Sequence, residues 1–374
     1  KGEDVEAIPH LTNEITDRIN QVGKLNKADI VIIELGGTAG EYQNVFYYEA
    51  SRIMTLQNPE DVLHIHVSYV PTPPHLGEPK TKPTQLSVRT LNSMGIQPDF
   101  VITRSEKYLD QRRRERFALF CNMKPEDIIS NPDLASVYEI PLVLNKQGLD
   151  EKILKKLGLK VKKPDLADWA KLVEKIKAKK EKKVEIAIVG KYFGTGDYQL
   201  KDSYAALFDA IDHACWQMGV SIKTKWIDAE KVESEGVEVI GKPDGLIVPI
   251  GWGERGSEGM ITSASYARKN KIPYLGLCYG MQLSVIAFAR DILGWEDADT
   301  TENNKNTKHP VIHLMPKQKI FMKRRAYGGT MRLGSWDARV KKGTRTFEIY
   351  QKELTAERHR HRYEFNNEYT ENFE

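Results

Sequence analysis

The sequence predicts an α/β protein built as two successive units, each a parallel sheet flanked by helices. Three observations carry this. Short β-branched runs alternate with stretches whose apolar residues recur at helical spacing. That alternation fills the first 150 residues, breaks at a lysine-rich stretch, and resumes near residue 184. The chain has 374 residues, 40% of them apolar, which is enough for two cores.

In the first unit "ADIVIIEL", "VLHIHVSYV", "PDFVITR" and "IPLVLN" are the expected strands. "YYEASRIMTL", "TQLSVRTLNSM" and "RRRERFALFC" carry helical spacing between them. Asn-Pro, Gly-Glu-Pro and Pro-Thr-Pro-Pro mark the loops. From Glu151 to Lys183 thirteen lysines stand against five acidic residues. "DLADWAKLVEKIKAKKEKK" reads there as an amphipathic helix with a solvated face, in an interdomain linker over 151–183. It lacks the interleaved aromatics of a phosphate-tracking patch. The second unit, 184–374, opens with "VEIAIVG" and continues through "SIKTKWID", "DGLIVPIGWG" and "IPYLGLC" as strands. Helices are expected around 201–218 and 259–269, and another begins with "GMQLSVIAFA".

The totals exclude several function classes. A net charge of +4 is too small and too dispersed for a dedicated nucleic-acid binder. No run has the length and apolarity of a membrane span, and the opening "KGEDVEAIPH" lacks the apolar core of a signal peptide. Cys121, Cys215 and Cys278 are widely spaced and odd in number, which points to a reducing, cytoplasmic setting.

One of these cysteines has a distinctive setting. "IPYLGLC" is a strand and "GMQLSVIAFA" a helix, so Cys278 sits on a sharp strand-to-helix turn between Gly276 and Gly280. Such a turn resembles a nucleophile elbow. It aims the side chain at the helix N-terminus, whose N–H groups and dipole favour a thiolate and can hold an oxyanion during acyl transfer. Cys121 in "FALFCN" and Cys215 in "DHACWQ" fall on helices and are read as buried small hydrophobes.

"GLCYGMQ" resembles the nucleophile motif of class I glutamine amidotransferases, whose cysteine attacks the glutamine amide and releases ammonia. "LIVPIGWGERGSEGMI" resembles the loop that supplies the other half of their oxyanion hole. "ERHRHRYEFN" and "YGGTMRLG" are narrower, and together resemble the CTP synthase family, which aminates UTP. In the first half "IIELGGTAGE", "KTKPTQ", "RRRERFALFCN" and "QGLDE" resemble the synthase domain of that family. The resemblance therefore implies a P-loop-type parallel-sheet synthase domain followed by a flavodoxin-like class I amidotransferase domain.

What it implies for residues is specific. Cys278 matches the nucleophile; Gly251 and Tyr279 match the oxyanion-hole positions. Gln282, Glu302 and Arg362 match glutamine-binding positions, the arginine suiting a bidentate hold on the α-carboxylate. Glu34, expected at the carboxyl end of the "IVII" strand, matches a magnesium-binding glutamate. Lys80, Thr81, Lys82 and Gln85 match the loop for UTP and for CTP as feedback inhibitor, and Arg116 stands at a position that contacts the pyrimidine nucleotide. Asp133 and Leu134 match positions near the ATP base. Mg²⁺, ATP, UTP and glutamine are the implied ligands, with room for GTP as an allosteric activator. The implied assembly is a homotetramer, with filaments allowed for.

Four departures stand out. Glu41-Tyr42-Gln43 replaces the usual Asp-Ile-Glu tied to pyrimidine-nucleotide recognition, Leu86 replaces a histidine, and Arg116 a lysine. Ile250 precedes Gly251 where a second glycine is usual, placing a β-branched side chain beside the oxyanion hole. These 374 residues also contain no P-loop of the form G-x-x-x-x-G-K-[ST], since "GVEVIGK" is followed by Pro243, and no His-x-Glu pair. The expectation is that they belong to a longer protein and that this stretch alone is inactive. Two other readings stay open: a non-catalytic paralogue, and a different two-domain glutamine-dependent amidoligase.

Overall fold

A computed structural model describes residues 4–195, 198–326 and 329–374. The chain divides into two compact units, Lys1–Ala178 and Lys179–Glu374.

In the first unit the elements run α1 (Thr12–Asn26), α2 (Val45–Gln57), β1 (Ile65–Tyr69), α3 (Lys82–Ser93), β2 (Phe100–Ser105), α4 (Gln111–Cys121), β3 (Ile128–Pro132), α5 (Ile140–Lys146), α6 (Leu149–Lys156) and α7 (Ala167–Lys177). The three strands form a parallel sheet in the order β1-β2-β3, with Ile65 opposite Phe100 and Val101 opposite Ile128. Helices cover both faces. Val88 of α3 and Phe117 and Cys121 of α4 pack with Val101 and Ile128 on one side. Leu149 packs with Phe100 and Ile129 on the other, backed by Leu144 and Ile153. The start of α4 is fixed by the Asp110 carboxylate, which accepts the Arg113 N–H at 2.8 Å.

Two sequence-based strands are corrected. "IPLVLN" is helix α5: Pro141 stands in its first turn, where a missing N–H costs nothing, and six apolar-rich residues fit either period. "ADIVIIEL" forms no strand among the described residues, and Ile32 is 92% exposed. It has the composition of a strand but no ladder partner, since the described sheet ends at β1. Glu34 is consequently not at the end of a strand. The strand β3, by contrast, escaped the sequence reading because "IISNP" carries only two apolar residues. The linker helix α7 is real but stops at Lys177, with "AKKEKK" beyond it.

The second unit contains β4 (Lys183–Gly190), the short pair β5 (Gly194–Thr195) and β6 (Tyr198–Gln199), α8 (Ala205–Met218), β7 (Ser221–Asp228), α9 (Ala229–Glu235), β8 (Gly245–Val248), α10 (Ser257–Lys269), β9 (Tyr274–Gly276) and α11 (Tyr279–Asp291). Beyond these lie β10 (Ile312–Leu314), α12 (Pro316–Lys323), β11 (Arg332–Arg339), α13 (Arg345–Tyr350), β12 (Leu354–His361), β13 (Tyr363–Phe365) and α14 (Thr370–Phe373). The main sheet is parallel in the order β7-β4-β8-β9. Its core on one face joins Val189, Leu246 and Val248 to Met260 and Leu283 of α10 and α11. On the other face Ile188 and Ile247 meet Phe208 of α8 and the half-buried Trp226. Every residue of β8 is buried, as expected for a central parallel strand. Two antiparallel pairs, β10–β13 and β11–β12, complete the unit.

Candidate active site

β9 ends at Gly276 and α11 begins at Tyr279, so Cys278 caps the helix, at φ 53° and ψ −102°. Such a backbone costs on the order of 1–3 kcal/mol for a residue other than glycine and persists only where the surroundings impose it. Its neighbours impose it here. A Cβ on Gly280 would lie 1.9 Å from the Val248 carbonyl oxygen, and one on Gly276 would lie 2.6 Å from the Met281 nitrogen. Helix and strand thus touch backbone to backbone. Leu277 N–H donates to Val248 O at 2.9 Å and the Tyr274 hydroxyl to Gly280 O at 2.8 Å. The half-buried Cys278 thiol faces the backbone of β12, 3.9 Å from Arg360 O.

Burial pushes the Cys278 pKa up, the Tyr279 N–H pulls it down, and the Glu302 carboxylate pushes it up again. The result lies above an ordinary thiol. This corrects the expectation of a helix-stabilised thiolate: the N–H contribution exists, and desolvation outweighs it. Cys121 and Cys215 are buried, with Cys121 pushed up to about 11 by burial, as inert core thiols are.

The loop after β8 packs against Tyr279, the residue that follows this thiol, and the polar groups of its Trp252 and Gly253 are engaged. Ile250 O accepts from the Tyr204 hydroxyl at 3.3 Å, and Trp252 N–H donates to the Tyr192 hydroxyl at 3.1 Å. Gly253 N–H donates to Glu302 Oε1 at 3.1 Å, while Gly253 O accepts from the Tyr279 hydroxyl at 2.9 Å. Among the described residues the Ile250 and Gly251 N–H groups of this run take no partner. At Gly251 a Cβ would meet Lys191 Cδ at 2.9 Å and the Tyr279 ring at 3.0 Å. Ile250 is 40% exposed, so its branched side chain turns away from the packed side of the loop.

Gln282 is buried on α11, its amide donating to Tyr363 O at 2.8 Å. Glu302 lies in a turn held against β10: Thr301 N–H donates to Ile312 O at 2.9 Å, and Leu314 N–H to Thr301 Oγ1 at 3.1 Å. Burial raises the Glu302 pKa against the pull of the Gly253 N–H and of Lys191. β10 pairs in turn with β13, which delivers Tyr363 to Gln282. Tyr279, Gln282 and Glu302 are therefore linked through one hydrogen-bonded frame, with Cys278 preceding Tyr279 and Gly251 packed against its ring. Arg362 stands between β12 and β13 with its guanidinium on Gln318 Oε1 and, at 3.1 Å, Thr330 Oγ1. Tyr327 and Gly328 of "YGGTMRLG" lie outside the described residues. Sequence reasoning missed Lys191 here. Only its place just past the last residue of β4, at the carboxyl end of the sheet, could have signalled it.

In the first unit the candidate nucleotide residues fall into two groups. Lys80, Thr81, Lys82 and Gln85 sit at the N-terminus of α3, where the Gln85 amide donates to Thr81 Oγ1 at 3.1 Å. Lys80 Nζ donates to Glu78 Oε1 at 2.5 Å, and Arg113 of α4 lies 3.4 Å from the same carboxylate. Lys80, Arg113 and Arg116 all draw the Glu78 pKa down. Asp133 and Leu134 follow β3 at the same carboxyl end of the sheet, Asp133 N–H donating to Ser105 O at 2.8 Å. Arg113 was missed in the sequence because "RRRER" reads as a solvated run. Glu41, Tyr42 and Gln43 form the second group. Glu41 accepts from Thr38 N–H at 3.1 Å and from the Gln43 amide at 2.7 Å, and Tyr42 is 95% exposed. This turn abuts the far end of α3, since a Cβ on Gly40 would lie 3.0 Å from Thr90 Cγ2. Nine residues of helix, about 14 Å, separate Thr81 from Thr90. Glu34 is exposed, and among the described residues no three His, Cys, Asp or Glu side chains cluster as a metal site.

Comparisons with known proteins agree with this division. Residues 1–159 match the family described as CTP synthase N-terminus, and residues 199–374 match glutamine amidotransferase class-I. A CTP synthase of Pyrococcus abyssi is 46% identical over the whole chain, which spans 68% of that protein. One from Caldanaerobacter subterraneus is 47% identical over 99% of the chain and again 68% of the protein. A solved structure, the glutaminase domain of Trypanosoma brucei CTPS with bound acivicin, is 35% identical, with a TM-score of 0.45 over 51% of this chain and 71% of that one.

Proposed function

Since the chain belongs to the CTP synthase family, we propose that it makes CTP from UTP, ATP and glutamine, the second unit supplying ammonia to a synthase in the first. The observation that carries this reading is the elbow itself: a cysteine at positive φ between two backbone contacts, followed by a tyrosine packed on a loop that leaves the Ile250 and Gly251 N–H groups unpaired.

The chemistry follows from those groups. The Cys278 sulfur attacks the glutamine amide carbon, with its proton leaving toward the departing amine. The Gly251 and Tyr279 N–H groups take the negative charge that grows on the amide oxygen. The C–N bond breaks, ammonia leaves, and water releases glutamate from the thioester. Gln282, Glu302 and Arg362 orient glutamine, and Glu302 presents a carboxylate suited to its α-ammonium. In the first unit ATP activates O4 of UTP and ammonia displaces phosphate at C4. Lys80, Thr81, Lys82, Gln85 and Arg116 would hold the pyrimidine nucleotide, with Asp133 and Leu134 near the ATP base. Magnesium is commonly held by one or two carboxylates together with nucleotide phosphates. A carboxylate such as Glu34 therefore fits an ion arriving with ATP, where it would neutralise phosphate charge.

The two nucleotide groups at opposite ends of α3 favour an assembly in which a second copy completes each site, in keeping with a homotetramer. Glu41, Tyr42 and Gln43 would then serve UTP and the feedback inhibitor CTP. GTP activation, filaments and a cytoplasmic location belong to the same proposal. No described helix is long and apolar enough to cross a membrane.

The test follows CTP formation from UTP with ATP and magnesium, comparing glutamine with ammonia. From a protein that carries these residues within the full length of its relatives, product from both donors is expected. Ammonia alone would confine activity to the first unit. No product from either would favour a non-catalytic paralogue or another glutamine-dependent amidoligase.

A further inference from the structure

Lys191 follows the last residue of β4 and is only 2% exposed. A buried ammonium is costly unless its donors are taken. Here Nζ donates to Trp252 O and to Gly253 O, each at 2.7 Å, and lies 5.3 Å from the centre of the Tyr279 ring. The Trp252–Gly253 peptide is thereby gripped from both sides, its carbonyl by Lys191 and its N–H by Glu302. The stem of Lys191 also lies against Gly251, with its Cδ 2.9 Å from where a Cβ would stand. Arg255 donates to the Lys191 backbone oxygen at 2.5 Å and pairs with Glu230 at 2.8 Å, tying the same segment down a second time.

We propose that Lys191 is a positioning residue for the oxyanion, clamping the 250–253 loop so that the Gly251 N–H stays aimed at the amide oxygen of glutamine as that oxygen gains charge. This rests on the reading of Cys278 as the glutamine nucleophile. Lys191 gives up no proton and touches neither the thiol nor the scissile amide. Preorganised donors matter most where charge develops, so the clamp acts on kcat more than on substrate binding. Burial and the nearby Arg255 lower the Lys191 pKa, whereas Glu302, Glu233 and Glu230 raise it.

Lys191→Met keeps the length and removes the donors. Glutamate release from glutamine is expected to lose about 10–100-fold in kcat with KM within about twofold. Alkylation of Cys278 by iodoacetamide, which builds no oxyanion, should keep its rate. Lys191→Gln, which can still reach one carbonyl, should fall between the two and covers the case in which the methionine variant does not fold. Unchanged glutamate release in either folded variant would overturn the proposal. So would alkylation falling in step with hydrolysis, which would make Lys191 mere packing. If the unsubstituted protein releases glutamate but aminates no UTP, the proposed function fails while the role of Lys191 still stands to be read. If it releases no glutamate, both fall.

Discussion

The two candidate sites differ in how far one chain assembles them. Around Cys278 strand and helix meet backbone to backbone, and the polar groups of Trp252 and Gly253 in the loop after β8 are already paired. In the first unit the cations near Glu78 and the turn at Glu41 stand at opposite ends of one helix, with Lys80, Arg113 and Glu41 half-buried and Tyr42 exposed. The difference matches what each chemistry requires. A covalent nucleophile must meet an oxyanion hole set to a fraction of an ångström before substrate arrives. A triphosphate brings its own charge and can gather flexible cations around itself.

The comparison is broken most directly at Gly280. An added methyl would sit 1.9 Å from the Val248 carbonyl, so Gly280→Ala should cost roughly 2–4 kcal/mol of stability and remove glutamine hydrolysis. Denaturant unfolding and glutamate release check the two effects. Survival of hydrolysis would mean that the elbow is not preset. The first unit should behave oppositely. Lys80→Ala and Arg113→Ala are expected to raise the KM for UTP by about tenfold each while moving stability by less than about 0.5 kcal/mol.

A finer test uses pH. The Cys278 thiol is held above the ordinary range, with burial the chief cause and Glu302 adding to it. It is neutral below its pKa and reactive above, so its alkylation should accelerate only as pH rises past the ordinary thiol range. Glu302→Gln removes a negative charge, which moves the midpoint to lower pH. A midpoint that stays put would separate Glu302 electrically from the thiol.

The smallest effect lies at the C-terminus of α11, away from the chemistry. Burial raises the Asp291 pKa, but hydrogen bonds from Arg268, Lys269 and Ser265 outweigh it and bring the value to about 2. A carboxylate depressed in the folded state stabilises at pH above its unfolded value, about 4, and that stabilisation disappears as pH falls through 2. After allowance for solvent screening, Asp291→Asn should cost about 1 kcal/mol at pH 7 and almost nothing at pH 2, read from unfolding at the two values.

The sequence showed some of this plainly and hid the rest for identifiable reasons. The elbow was legible because glycine two positions on either side of a cysteine, between a β-branched run and a helical one, has few other uses. The central strand β8 was legible because it is buried on both faces and reads as an unbroken apolar run. The helix at "IPLVLN" was not, because six residues cannot separate a period of two from one of 3.6. "ADIVIIEL" has the propensity of a strand, but strands are made by partners, and propensity cannot supply one. Lys191 and Arg113 looked like ordinary surface cations. Their roles depend on which carbonyls and carboxylates the fold brings within reach.

The central claim is that nitrogen passes from glutamine to the pyrimidine by way of Cys278. Glutamine labelled with heavy nitrogen in its amide, supplied with UTP, ATP and magnesium, should yield CTP carrying the label in its 4-amino group. With Cys278→Ala the label should vanish from CTP, while added ammonia still gives product. Label that persists in the alanine variant, or CTP that never acquires it in the unsubstituted protein, would contradict the account.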